Sequence, residues 1–275
     1  MLLAETELWP NFILECSDRK IPLMLINGRI SDRSLIRYRR IRLILRPLLD
    51  RFDRLCMQSK QDKKRILELG APAGRVNWVG NLKYDYSRSQ VPELQPLKTA
   101  IRKALQLERE DRLLFLCGST KPGEEEILLR VYSRLRREHS IGLLIAPRHP
   151  HRAGEVRTLL EKEGIGVALR SELEQEWNGR RPLNALILDT VGELASLYEL
   201  ADLVFMGGSL VPTGGQNVIE PAAFGRPILF GPHMTNFRQV ADDFVAAYAA
   251  LQVSGEEELF ERLRDLAGDA HARHW

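Results

Sequence analysis

Short apolar segments alternate with helical patterns along almost all of this 275-residue chain, and this alternation constrains the possible folds most strongly. Short apolar runs bounded by polar or turn residues predict buried strands, because the strands of a sheet covered on both faces read as continuous apolar runs. The predicted strands are 2–4, 21–26, 54–58, 76–80, 112–117, 141–146, 165–169, 184–188, 202–206, 227–230 and, less regularly, 249–253.

Helical periodicity fills the gaps between these strands. Apolar residues at three- and four-residue steps predict helices over 31–52, 62–69, 123–138, 151–163, 192–200, 217–224, 236–247 and 255–266. Pro47 is expected to kink or divide the first of these helices. The alternation predicts an α/β protein with parallel sheets. We interpret 99–275 as one complete doubly wound domain, 1–83 as the latter part of a second α/β domain, and 84–98 as the linker.

Composition excludes several classes of protein. The 40 Lys and Arg residues nearly balance the 37 Asp and Glu residues, a net charge of +3, which argues against a nucleic-acid-binding protein. The three cysteines are far apart in sequence, so a disulfide framework is not expected and a reducing compartment is. No apolar run has the length of a membrane-spanning helix. These features predict a soluble or peripheral cytoplasmic protein.

Glycine-rich and polar residues follow several predicted strands, where ligands bind in open α/β sheets. The richest segment is 207–225, with a helix expected from Asn217 whose free N–H groups suit a phosphate. Glu220 in its first turn could cap that turn or accept hydrogen bonds from ribose hydroxyls. Arg148, after another strand, could bind a phosphate or form a surface salt bridge. Gly192 allows close backbone approach, and Glu193 is either a ligand or a favourable first-turn acid.

Other charged positions carry weaker signals. Glu5 and Glu7 follow the first strand and could stabilise charge, while Lys83 ends another strand and could stabilise a phosphate leaving group. Each could equally be an ordinary surface charge. His149, His151 and His233 have no ligand spacing with a carboxylate partner, so no metal site is predicted. The nine arginines of 29–54 indicate either a basic helix for an anionic surface or a solvated helix face.

Seven segments appear together in order: ETELWPN (5–11), SDRS (31–34), GNLKYD (80–85), APRHP (146–150), DTVGEL (189–194), the long block 207–237 and VSGEEEL (253–259). With these segments the chain resembles the 3-deoxy-D-manno-octulosonic acid (Kdo) transferases of lipopolysaccharide synthesis, over nearly all of its length. The resemblance implies a GT-B glycosyltransferase at the cytoplasmic face of the bacterial inner membrane. It implies CMP-Kdo as donor, a lipid A precursor as acceptor, and no metal or other cofactor.

The resemblance also implies roles for individual residues. Glu5 and Lys83 would correspond to the transition-state stabilisers of the family. The CMP contacts would be Pro147, Arg148, Val191, Gly192, Glu193, Asn217, Val218, Ile219 and Glu220.

The chain departs from the family pattern at its beginning. Members of the family carry a membrane-associating segment and a general-base glutamate before the region that ETELWP matches. We therefore expect a fragment that lacks this base, transfers Kdo slowly, and has exposed sheet edges at 2–4 and 21–26 that favour association. Two alternatives stay open: a non-catalytic CMP-binding remnant, and another GT-B enzyme or sugar-nucleotide epimerase.

Overall fold

The computed structural model describes residues 1–5, 7–173 and 183–273, and it divides the chain into two compact units. The first unit is Met1–Asp85 and the second is Tyr86–Trp275. The division falls within the predicted linker 84–98. The end of that segment is helical, however, because a helix begins at Gln95 with Pro96 in its first turn, where proline is tolerated.

The first unit contains a four-stranded parallel sheet in the order β1-β2-β3-β4. Its strands are β1 (Leu2–Ala4), β2 (Met24–Gly28), β3 (Arg54–Met57) and β4 (Val76–Trp78). Its helices are α1 (Pro10–Asp18), α2 (Asp32–Arg40), α3 (Arg42–Leu49) and α4 (Lys60–Glu68). Helix α1 lies outside the predicted helices. The expected exposed edge at 21–26 is wrong, because β2 pairs with both β1 and β3.

The predicted helix 31–52 is divided, but at Ile41 rather than at Pro47. Ile41 leaves helical geometry with φ −112° and ψ 21°, and α3 then continues through Pro47. Proline removes the hydrogen bond to the carbonyl four residues earlier, here that of Leu43. Leu43 is 91% exposed, so water can reach this part of the helix and the lost bond is tolerated.

The second unit contains a seven-stranded parallel sheet in the order β11-β10-β9-β5-β6-β8-β7. Its strands are β5 (Leu113–Thr120), β6 (Ile141–Pro147), β7 (Val167–Leu169), β8 (Ala185–Ile187), β9 (Leu203–Met206), β10 (Ile228–Phe230) and β11 (Leu251–Gln252). Its described helices are α5 (Gln95–Ala104), α6 (Glu125–Glu138), α7 (Ala153–Lys162), α8 (Leu194–Leu197), α9 (Ile219–Ala222), α10 (Arg238–Ala246) and α11 (Glu256–Gly268).

Both faces of this larger sheet are covered. Along β5, Leu114 and Leu116 belong to one buried apolar cluster, whereas Phe115 and Cys117 belong to the other. This alternation follows from the two-residue period of a strand, and it places β5 at the centre of a doubly wound sheet. The carboxyl ends of β5, β6, β8 and β9 therefore lie side by side at one edge, which positions the candidate site.

Every described strand overlaps a predicted one, so the predicted α/β class is confirmed. Among the described residues, no helix combines the length and apolarity needed to cross a membrane. The cysteines Cys16, Cys56 and Cys117 are all free thiols. Burial beside Glu124 and Glu125 holds the pKa of the Cys117 thiol well above its usual range.

Candidate functional site

A cleft of about 150 Å³ opens at the carboxyl ends of β5, β6 and β8. It is lined by Ser119, Ala146, Pro147, Arg148, Pro150, Leu188, Thr190, Val191, Gly192 and Leu194. Four of the predicted CMP contacts, Pro147, Arg148, Val191 and Gly192, therefore meet in one place although about 40 residues separate the two segments in sequence.

Arg148 is exposed at this cleft and forms no ion pair with any residue that the structure describes. Its backbone N–H donates to the carbonyl of Thr120 at 2.9 Å, which fixes the start of the loop after β6. The surface salt bridge considered from the sequence is therefore not formed with any of the residues that the structure describes. A guanidinium held at a cleft without a carboxylate partner is suited to bind a phosphate.

Val191 and Gly192 also line the cleft. Gly192 has φ +88°, a left-handed conformation that strains other residues, while a side chain there would meet no atom within 4 Å. The glycine is thus required by the backbone turn rather than by close packing. Val191 is 86% exposed, so this turn presents an apolar side chain to the cleft.

Glu193 has its carboxylate engaged within the protein. The buried guanidinium of Arg170 donates to its two oxygens at 2.9 and 2.7 Å, and the hydroxyl of Thr190 donates to one of them. This bidentate pair fixes the turn beside Gly192. Because this carboxylate is engaged, the predicted CMP contact at Glu193 can come from its backbone. The sequence analysis did not identify Arg170 as the partner of Glu193.

The segment Asn217–Glu220 lies beyond β9 at the same sheet edge but does not line the cleft. The helix expected from Asn217 begins at Ile219 and contains four residues. That prediction was too long at both ends: Pro221 has no N–H to donate to the carbonyl of Asn217, and the chain turns out of the helix before Gly225, which has φ +62°. Since a helix dipole sums over aligned peptide units, α9 gives little support to a phosphate site at its N-terminus.

Asn217, not Glu220, accepts the first free N–H group of this short helix. The side-chain oxygen of Asn217 accepts from the N–H of Ile219 at 3.2 Å, and its amide donates to Oε1 of Glu220 at 3.1 Å. Burial raises the pKa of Glu220, and the Asn217 amide opposes this effect. Oε2 of Glu220 accepts no hydrogen bond from a described residue, so it can accept one from a ligand. The side chain of Val218 is fully buried, so the predicted CMP contact at this residue can be made only by its backbone.

Glu124 is a site-forming residue that the sequence analysis missed. Its buried carboxylate accepts four backbone N–H groups: those of Lys121 at 3.0 Å, Gly208 at 2.6 Å, and Ser209 and Leu210 at 2.8 Å each. Burial raises the pKa of Glu124, and these four hydrogen bonds lower it. The carboxylate thereby fastens the first turn of the glycine-rich segment to the loop after β5.

Gly207 allows the loop after β9 to approach the end of strand β5 closely. A Cβ at this position would lie 2.5 Å from the carbonyl oxygen of Ser119, closer than real Cβ atoms come. Ser119 itself has φ +55° and lines the cleft. The loop after β9 therefore packs against the last residues of β5 because residue 207 has no side chain.

His149 and His151 lie beside cationic side chains at the loop after β6. Their rings stack with centroids 5.7 Å apart, and Nζ of Lys121 lies 3.2 Å from Nε2 of His149. Lys121 and then Arg148 and its neighbours lower the pKa of His149, which is exposed. Within the described ranges, no group of three or more His, Cys, Asp or Glu side chains could hold a metal ion.

The two residues predicted to stabilise the transition state both lie in the first unit. Glu5 follows β1 with φ +58°, and its N–H donates to the carbonyl of Ile26 at 3.0 Å. Lys83 lies in a 3₁₀ turn, Leu82–Asp85, which Asn27 anchors by accepting from the N–H of Leu82 at 3.2 Å. Thr6 and the side chain of Lys83 lie outside the described part of the structure.

Known proteins match the chain over nearly all of its length. Residues 1–86 match the family described as 3-deoxy-D-manno-octulosonic-acid transferase. The Haemophilus influenzae 3-deoxy-D-manno-octulosonic acid transferase is 34% identical over 266 residues, which is 95% of this chain and 60% of that protein. A bifunctional glycosyltransferase/methyltransferase of Fusobacterium nucleatum is 34% identical over 272 residues, 99% of this chain and 41% of that protein. The chain thus spans about 60% or less of these relatives.

Solved structures match as well. The C-terminal CMP-Kdo binding domain of WaaA from Acinetobacter baumannii is 27% identical with a TM-score of 0.52, covering 64% of this chain and 97% of that one. The Neisseria meningitidis UDP-GlcNAc 2-epimerase has a TM-score of 0.60 over 98% of this chain and 71% of that one, but 14% identity shows the fold alone. Each of the two units contains a parallel α/β sheet, and this architecture is that of the GT-B fold. Among proteins of this fold, the chain is homologous over nearly its whole length to the 3-deoxy-D-manno-octulosonic acid transferases.

Proposed function

We propose that this chain binds the donor CMP-Kdo through its second unit, within a glycosyltransferase that transfers Kdo to a lipid A precursor. The observation that carries the proposal is the strand-end cleft, where Arg148, Val191 and Gly192 meet. The matched CMP-Kdo binding domain of Acinetobacter baumannii supports the identity of the ligand, because it aligns with 64% of this chain.

The chemistry follows from the charges of CMP-Kdo. When the acceptor hydroxyl attacks the anomeric carbon and gives its proton to a general base, the bond from that carbon to the phosphate oxygen breaks and CMP leaves with additional negative charge. Arg148, which has no ion pair among the described residues, would stabilise this charge. Glu220 would accept a hydrogen bond from a ribose hydroxyl through Oε2, in a half-buried position where hydrogen bonds are strong.

For the first unit we propose that Glu5 and Lys83 stabilise the transition state, on the match of their sequence motifs. No residue of this chain is assigned as the general base. The acceptor would be a lipid A precursor, and the whole protein would act at the cytoplasmic face of the bacterial inner membrane.

Calorimetry tests the donor site. We expect CMP to bind with and without EDTA and more tightly than UDP. Glu220→Gln should weaken CMP binding by about 1–3 kcal/mol, the range for a hydrogen bond to a charged group. Arg148→Gln should also weaken it, while Arg136→Gln on the exposed surface of α6 serves as the control.

Three results would contradict the proposal. Tighter binding of UDP than of CMP would favour another sugar-nucleotide enzyme. A strict requirement for a divalent ion would contradict metal-free binding. Unchanged affinity with a lower melting temperature in Glu220→Gln would assign that residue a structural role.

A further inference from the structure

Lys121 and Arg148 leave the larger sheet from neighbouring positions at its carboxyl edge. Thr120, at the end of β5, is paired with Pro147, at the end of β6, and each cationic residue directly follows one member of this pair. Neighbouring strands lie about 4.8 Å apart, so the two backbones leave the sheet side by side. The N–H of Arg148 donates to the carbonyl of Thr120 at 2.9 Å and holds them together. Two cationic residues therefore start from one point beside the cleft.

The carboxylates that follow Lys121 in the sequence do not neutralise its side chain. The carboxylate of Glu124 is engaged by four backbone N–H groups, of which that of Lys121 is one, at 3.0 Å. Glu125 is fully buried and pairs with Arg152 at 2.7 Å. Among the residues that the structure describes, neither Lys121 nor Arg148 has an ion-pair partner. Two cations beside a cleft without a counter-charge attract an anionic ligand.

His149 adds a further hydrogen-bond donor next to the Lys121 ammonium. Nζ of Lys121 lies 3.2 Å from Nε2 of His149. A lysine ammonium can only donate, so Nε2 accepts and the ring carries its proton on Nδ1. The charge of Lys121 is the largest of the causes that lower the pKa of His149, and the ring is therefore neutral at neutral pH. The other ammonium protons and Nδ1–H are all hydrogen-bond donors, a set that suits the two oxygens of a carboxylate.

The sugar donor CMP-Kdo carries two negative groups on one carbon. Kdo is an ulosonic acid, so its anomeric carbon bears a carboxylate as well as the bond to the phosphate of CMP. We propose, as an extension that rests on the proposed function, that Lys121 and His149 bind this carboxylate while Arg148 binds the phosphate. The two residues would then select nucleotide sugars with a carboxylate on the anomeric carbon, because a neutral sugar leaves the half-buried ammonium without a counter-charge.

Calorimetry with three ligands separates the two negative groups. The ligands are CMP, a phosphonate analogue of CMP-Kdo in which a methylene group replaces the glycosidic oxygen and prevents hydrolysis, and the carboxamide of that analogue. The unchanged protein should bind the acid about tenfold more tightly than the amide, or better. Lys121→Gln should weaken binding of the acid about 10- to 100-fold and abolish the preference over the amide. Its affinity for CMP, which has no carboxylate, should change by less than about threefold.

Three further variants test the contribution of each group. Lys121→Arg should keep the preference for the acid, because it keeps the charge. His149→Phe should weaken binding of the acid by a smaller factor than Lys121→Gln, because its Nδ1–H is a neutral donor. The control is Lys162→Gln, an exposed lysine at the end of α7 with the same loss of charge, and its affinities should match those of the unchanged protein.

The results that overturn this carboxylate site differ from those that overturn the proposed function. Equal binding of acid and amide by the unchanged protein would overturn the carboxylate site alone. An equal loss of CMP and acid binding in Lys121→Gln would also overturn it, because the ammonium would then act on the phosphate. Failure of the unchanged protein to bind CMP would contradict the proposed function, and the carboxylate site with it.

Discussion

The carboxylate of Glu124 offers the most direct test of how the glycine-rich loop is held. Oε1 accepts the N–H groups of Ser209 and Leu210, and Oε2 accepts those of Gly208 and Lys121. Glu124→Gln keeps the shape of the side chain but replaces one oxygen with an amino group, which cannot accept. One buried and one partly buried N–H donor then lose their acceptor.

The expected magnitude follows from these two donors. Each unsatisfied buried donor costs about 1–3 kcal/mol, which gives about 2–6 kcal/mol in total. Part of this cost is offset because Gln carries no buried charge, and the raised pKa of Glu124 shows that burial disfavours the ionised form. We therefore expect a loss of about 2–4 kcal/mol, or about 4–16 °C in melting temperature for a domain of this size.

Denaturation followed by circular dichroism measures this loss, and hydrogen exchange should show faster exchange at Gly208–Leu210. The control is Glu126→Gln, since Glu126 is the exposed glutamate two residues further along. A Glu124→Gln protein that melts within about 1 °C of the unchanged protein, a shift worth under 0.5 kcal/mol, would refute the role of this carboxylate.

Two further predictions concern stability in the second unit. Gly207→Ala should destabilise the protein by about 1–3 kcal/mol, because its Cβ would meet the Ser119 carbonyl oxygen. Gly154→Ala, in the open first turn of α7, should be neutral or stabilising, and thermal melting compares the two variants. The hydrogen bond from the buried Lys98 lowers the pKa of Glu199. The pair therefore stabilises the folded protein fully above the usual glutamate pKa, and this stabilisation is lost as the pH falls through the lowered pKa of the folded state. Glu199→Gln should remove this loss at acidic pH from the free energy of unfolding measured by urea titrations, and an unchanged pH profile would show that the pair contributes nothing.

The sequence determined the fold class because the signals are local. A buried parallel strand needs a short apolar run, and each run of the chain became part of a strand. The position of Arg148 at the carboxyl edge of the sheet was predictable for the same reason, since the carboxyl end of a parallel strand is identified by the direction of the chain. Local signals were weaker at element ends: Pro47 was expected to divide a helix that ended at Ile41 instead.

The partners of the charged side chains were decided by the tertiary structure alone. Glu124 is 84 to 86 residues from the loop it holds, and Glu193 is 23 residues from Arg170. No periodicity or spacing in the sequence specifies such pairs, because they depend on which strand ends become neighbours in the sheet. The order β9-β5-β6-β8 places the loops after β5 and β9 side by side, and this placement buries the Glu124 carboxylate against their N–H groups.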